Sequence, residues 1–102
     1  MYEFEVNCVT KPDADSPHED ITHIGNLTTR WRVTRESAIT RIESKEEGFY
    51  TVDRSTGKCA YIFVVREPGK APYLRAYGEG TWNDSLLGLP ECGEECRVLS
   101  GG

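Results

Sequence analysis

Four cysteines, two histidines and a terminal Gly-Gly are the residues of this chain best suited to chemistry. Cys92 and Cys96 stand in the closing stretch CGEECRVLSGG. A Cys-x-x-x-Cys spacing can put two thiolates on one metal. A tetrahedral structural zinc then needs two more ligands from Cys8, Cys59, His18 or His23, with Cys8 a fair candidate for the third. Against zinc, the usual knuckle is Cys-x-x-Cys and no second pair is present. Cys59 falls in a strand-like run where burial as a small hydrophobe accounts for it. A Cys92–Cys96 disulfide is less favoured, because Glu91, Glu94 and Glu95 would raise both thiol pKa values and slow attack.

Gly102 ends the chain on a motif shared with ubiquitin-like modifiers, whose flexible Gly-Gly is activated as an acyl donor. CRVLSGG can be written as such a last strand and tail, although so short a motif carries little weight and a disordered terminus is the better account. Arg30, Trp31 and Arg32, followed by Arg35, combine an aromatic ring with phosphate-binding cations, the pattern of a single-strand binder. A solvated strand face is the plainer account. His23 titrates near neutrality and can act as a base, but no third residue is placed to orient it. GEGTWND lacks the helix and the lysine that a phosphate loop requires. No catalytic constellation emerges, which leaves a non-catalytic role as the expectation.

Charge sharpens these choices. The chain of 102 residues has 12 basic and 17 acidic side chains and a net charge of −5, so its long-range field repels nucleic acid and anionic membrane. The N-terminus has neither a basic nor an apolar leader region, and no run approaches the roughly 18 apolar residues of a spanning helix. A cytoplasmic protein is expected, with no membrane partner and its cysteines held as thiols. Hydrophobic residues at 37% and charged residues at 28% are those of an ordinary globular domain. At this length a single core buries about 65% of the unfolded chain's surface, which leaves no cofactor-sized interior.

The elements that must position these groups follow from periodicity. YEFEVNCV alternates, with Tyr2, Phe4, Val6 and Cys8 on one side, and predicts a first strand. TKPDADSPHED is a solvated loop, and ITHIG a short extended piece. TRWRV alternates again, and Thr34 is the natural N-cap of a helix over 35–47. That helix turns Ala38, Ile39 and Ile42 inward, exposes Glu36, Glu43, Glu46 and Glu47, and stops at Gly48. FYTVD, CAYIFVV and YLRAYG form a meander, and YIFVV, apolar on both faces, should lie mid-sheet with the helix across one face. DSLLGLPEC closes the core. The predicted fold is α+β: a mainly antiparallel sheet of four to five strands with one helix packed on one face.

Several fragments together resemble a family of short prokaryotic proteins known only as a domain of unknown function. They are PHEDITHIG, the Arg-Trp before the ESAITRIES helix, FYTVD with its following GK, and YLRAYGEGTWNDSLLGLPEC. The most specific are Thr22-His23-Ile24-Gly25 and the segment from Asn83-Asp84-Ser85 to Leu89-Pro90-Glu91-Cys92. The resemblance implies one small cytoplasmic domain over residues 1–92 and transfers no mechanism. Residues 93–102 fall outside it as a flexible C-terminal extension. The expected role is an interaction or regulatory module that meets a protein partner through His23, Trp31, Arg30, Arg32, Asn83 and Asp84. The rival readings are zinc held by Cys92 and Cys96, conjugation through Gly102, and single-stranded nucleic acid on the Arg–Trp stretch.

Overall fold

The computed structural model describes residues 2–13, 15–53, 55–78 and 80–99. In chain order the elements are β1 (Tyr2–Glu5), β2 (Cys8–Thr10), a 3-10 turn (His18–Asp20), β3 (His23–Asn26), β4 (Trp31–Thr34), α1 (Arg35–Glu43), β5 (Glu47–Val52), β6 (Cys59–Val65), β7 (Tyr73–Gly78), β8 (Thr81–Asn83) and β9 (Arg97–Val98). The α+β expectation holds in outline, but the single antiparallel sheet does not. There are two mixed sheets, one of five strands in the order β1-β5-β6-β7-β8 and one of four in the order β2-β3-β4-β9. The pairs β1·β5 and β4·β9 are parallel.

The split occurs inside the first predicted strand. The Val6 amide donates to Tyr50 O at 2.7 Å in the five-stranded sheet, and the next amide, Asn7, donates to Gly25 O at 2.9 Å in the other. Two asparagines secure the crossing. Asn7 Oδ1 accepts from Leu27 N, and Asn26 Nδ2 donates to Glu5 O. Alternation is therefore broken at the front, where Tyr2 is 75% exposed while Val6 and Cys8 are fully buried. Gly25 lies between β2 and β4, paired to both Cys8 and Arg32. A Cβ there would sit 2.2 Å from the Trp31 carbonyl oxygen, which accounts for the glycine of the Thr-His-Ile-Gly segment by close backbone approach.

Thr34 caps α1 as its sequence position predicts, its hydroxyl accepting from Ser37 N at 3.1 Å. The helix is shorter than the predicted 35–47. It ends at Glu43, and Lys45, not Gly48, takes the left-handed position at φ 63°. Gly48 and Glu47 belong to β5 instead, where the Glu47 carboxylate meets Arg41 at 2.6 Å.

The core lies among the inner face of the larger sheet, α1 and the smaller sheet. Val6, Val9, Ile21, Ile24, Val33, Ala38, Ile39, Phe49, Ile62, Leu74 and Leu86 pack together there. β6 occupies the middle of the larger sheet, and α1 packs over β5, β6 and β7, as expected. Its second face, however, is open: Ala60 and Ile62 are buried, whereas Cys59, Tyr61 and Phe63 are exposed. Burial therefore does not account for Cys59.

Candidate functional site

The C-terminal segment is threaded onto the smaller sheet by its backbone. Val9 N donates to Pro90 O at 3.0 Å and Cys92 N to Val9 O at 3.1 Å, which sets Cys92 beside β2. Cys8 and Cys92 are joined by a disulfide with their Cα atoms 4.9 Å apart, so these two are not the expected thiols. Gly93, at φ 64°, then reverses the chain, and the Cys96 amide closes the turn onto Gly93 O. Cys96 thereby returns to the same point. The Sγ atoms of Cys8, Cys92 and Cys96 all lie within 4.8 Å of one another, and all three residues are buried.

Beyond the turn, Arg97 N donates to Arg30 O and Leu99 N to Arg32 O, laying β9 against β4. Within residues 93–99 of the predicted extension, Cys96 is buried and Arg97–Val98 pair with β4, while Glu94, Glu95 and Leu99 are exposed. Gly102, the proposed conjugation residue, lies outside the described residues. Burial, and secondarily Glu95, push the Cys96 thiol above its ordinary value, while Arg32 and Arg30 oppose them. Arg32 also donates through Nε to Cys96 O at 3.2 Å, and the Cys96 thiol faces Asn26 O at 3.9 Å. The predicted pair Cys92 and Cys96, with Cys8 as third member, is therefore gathered in space. Cys59, His18 and His23 are not in that group.

The residues expected to form one interaction surface are dispersed. Trp31 turns inward, packing edge-on against Phe4 and tilted against Phe49 at centroid distances of 6.0 and 6.1 Å. Arg30 occupies a left-handed turn position at φ 59°. His23 sits at the far end of the β3–β4 hairpin from Trp31, with Thr22 Oγ1 2.9 Å from its Nδ1. Asn83 ends β8 of the other sheet and Asp84 follows it, its carboxylate 3.2 Å from Arg75 and 3.8 Å from His18 Nε2.

His18 is buried, and its Nε2 has no hydrogen-bond partner. Burial first, then the Arg75 guanidinium, hold its imidazole below the usual histidine range, with Asp84 opposing. A depressed native pKa means that the unfolded chain binds the proton first as pH falls. Stability is therefore retained above about pH 6.5 and lost progressively below it, by at most about 1.4 kcal/mol per pH unit for one proton. Urea midpoints between neutral and mildly acid pH should fall more steeply in the native protein than in His18→Gln. Parallel profiles would remove His18 from the acid response.

The outer face of the five-stranded sheet carries a feature that sequence reasoning passed over. Register aligns Tyr50 with Tyr61, Tyr61 with Tyr77, and Tyr77 with Trp82, one aromatic row across four adjacent strands. Tyr77 stands edge-on to Trp82 at 5.1 Å and to Phe63 at 6.2 Å. Tyr61, Phe63 and Trp82 remain 42, 44 and 41% exposed, so the row is a surface and not a second core. β1 continues it with Glu5 beside Tyr50. The Glu3 carboxylate, more than burial, pushes the Tyr61 phenol above its ordinary value. Alternate aromatics in CAYIFVV and YLRAYG were the available signal, but their alignment depends on the register of three strand pairings.

An apolar cavity of about 240 Å³ opens where the two sheets meet, lined by Phe4, Trp31, Val33, Phe49, Leu99 and the Arg41–Glu47 pair. It falls below the roughly 300–1,000 Å³ of most small-molecule sites. No helix among the described residues is long and apolar enough to cross a membrane. No curated protein and no solved structure matches the chain. Residues 5–90 match the model of a family described as protein of unknown function (DUF3892), ending two residues before Cys92. That match covers most of the 102 residues, and the chain belongs to this family.

Proposed function

We propose that this chain is a non-catalytic cytoplasmic interaction module whose outer sheet face binds a protein segment carrying basic and apolar side chains. The observation that carries the reading is the row Tyr50–Tyr61–Tyr77–Trp82 with Phe63 alongside, in which Tyr61, Phe63 and Trp82 are exposed and Tyr50 and Tyr77 half-buried. Tyrosine and tryptophan are the residues that dominate interface energetics, because they bury large area while fixing few torsions. The charge around the row selects the partner. Glu3 and Glu5 border it on β1, Arg75 is matched by Asp84, and the chain as a whole is at −5. Such a border attracts arginine and lysine, which also stack on aromatic faces, and repels phosphate.

The test is a titration followed by amide chemical shifts, using an amphipathic Arg/Leu peptide, its Glu/Leu counterpart and oligo(dT). Binding of the Arg/Leu peptide with shifts centred on Tyr50, Tyr61, Phe63, Tyr77 and Trp82 is the expected result. Trp82→Ala should weaken it about 30-fold, the effect of one hot-spot truncation of about 2 kcal/mol. Because cross-strand pairs contribute roughly 0.2–1 kcal/mol each, the variant stays folded. Shifts centred elsewhere, or binding of oligo(dT) in preference to the peptide, would overturn the proposal, the latter in favour of base stacking.

A further inference from the structure

We infer that Cys8, Cys92 and Cys96 form a zinc-binding site in the reduced protein, with the Cys8–Cys92 disulfide as its oxidised, metal-free form. The disulfide alone explains two of the three sulfurs. It does not explain why the chain turns back at Gly93 to bury a third within 4.8 Å of both. Zinc–thiolate bonds of about 2.3 Å place tetrahedral sulfurs roughly 3.8 Å apart, a spacing these side chains reach once the S–S bond opens. The ligands also come from hydrogen-bonded backbone: Cys8 from β2, Cys92 from the segment bonded to Val9, Cys96 from the turn just before β9.

The surroundings suit the charge. Three thiolates on one Zn²⁺ carry a single negative charge, and Arg32 and Arg30 are the cations close enough to act on Cys96. Arg32 further donates to the Cys96 carbonyl, a bond that fixes the backbone carrying one of the three thiols. With three protein ligands, the fourth position is open to water or to a donor from a partner. Loading takes two balanced steps. A dithiol reductant delivers two electrons and two protons, opening the Cys8–Cys92 bond to two thiols and leaving as its own disulfide. Zn²⁺ then displaces one proton from each of the three thiols.

The experiment uses the full chain, reduced with a dithiol, desalted anaerobically and titrated with Zn²⁺ against a chromogenic chelator, with native mass spectrometry for stoichiometry. One zinc per reduced chain is expected. Cys8→Ser, Cys92→Ser and Cys96→Ser should each lose at least about tenfold in affinity, while Cys59→Ser, outside the group, binds as the parent does. Cys96→Ser is the decisive variant, because it keeps the disulfide and can be shown folded in the oxidised state before reduction. Co²⁺ loading gives an independent count of thiolate ligands from charge-transfer intensity, three being expected. No metal on the reduced parent, undiminished binding by Cys96→Ser, or equal binding by the oxidised protein would each overturn the site.

Discussion

Opening the Cys8–Cys92 bond in metal-free protein should lower folding stability by about 4 kcal/mol. The two cysteines are 84 residues apart, so the bond closes nearly the whole chain into one loop. On the chain-entropy estimate a loop of that length is stabilised by roughly 4.5 kcal/mol, within the 2–5 kcal/mol typical of native disulfides. A domain of this size has about 5–15 kcal/mol in total, so the reduced chain stays folded with a much smaller margin. Urea denaturation with and without dithiol, in the presence of chelator, measures the difference. A loss below about 1 kcal/mol would mean that the backbone bonds at Val9 and Pro90 hold the C-terminal segment without the cross-link. In a reducing compartment the bond opens, and zinc at the proposed site then restores the tie between β2 and the C-terminal segment. Adding zinc to the reduced protein should accordingly recover part of the lost stability.

The second large effect is expected at Phe49. Its side chain is only 2% exposed and belongs to β5 of the larger sheet, yet its ring lies 6.1 Å from Trp31 of the smaller sheet and 6.1 Å from Phe4 of β1. It is where the two sheets are joined. Phe49→Ala removes that contact and enlarges a neighbouring cavity that already measures about 240 Å³, so little collapse can offset the loss. A destabilisation of about 3–5 kcal/mol follows from phenylalanine truncations in well-packed cores. Phe49→Leu, which keeps more of the volume, should cost less than about 1.5 kcal/mol. Equilibrium urea unfolding decides both. Equal, small losses would show that the sheets are held together elsewhere, for instance through Ile24, Val33 and Leu86.

Local chemistry determined more here than composition did. The Thr34 cap, the apolar face Ala38–Ile39–Ile42, the central position of β6 and the resemblance carried by PHEDITHIG and DSLLGLPEC were all legible, because each rests on residues close together in sequence. The spacing named Cys92 and Cys96, with Cys8 as a fair third candidate, and these three do lie together, but the bond between Cys8 and Cys92 was not foreseen.

What only tertiary structure decided are the features made by long-range register. The alternation of YEFEVNCV is the same whether it forms one strand or two. The switch at Val6 and Asn7 depends on acceptors at Tyr50 and Gly25, supplied by two different sheets. The end of α1 fell early because Glu47 gains both a ladder place in β5 and the Arg41 ion pair there, against which continued helix offers less. The aromatic row was invisible for the same reason. Tyr50, Tyr61, Tyr77 and Trp82 are separated along the chain, and a one-residue slip in any of three pairings would turn part of the row into the core. Periodicity tells which side chains share a face of one strand. Which faces meet, and which are left to solvent, is set by the packing of all the strands together.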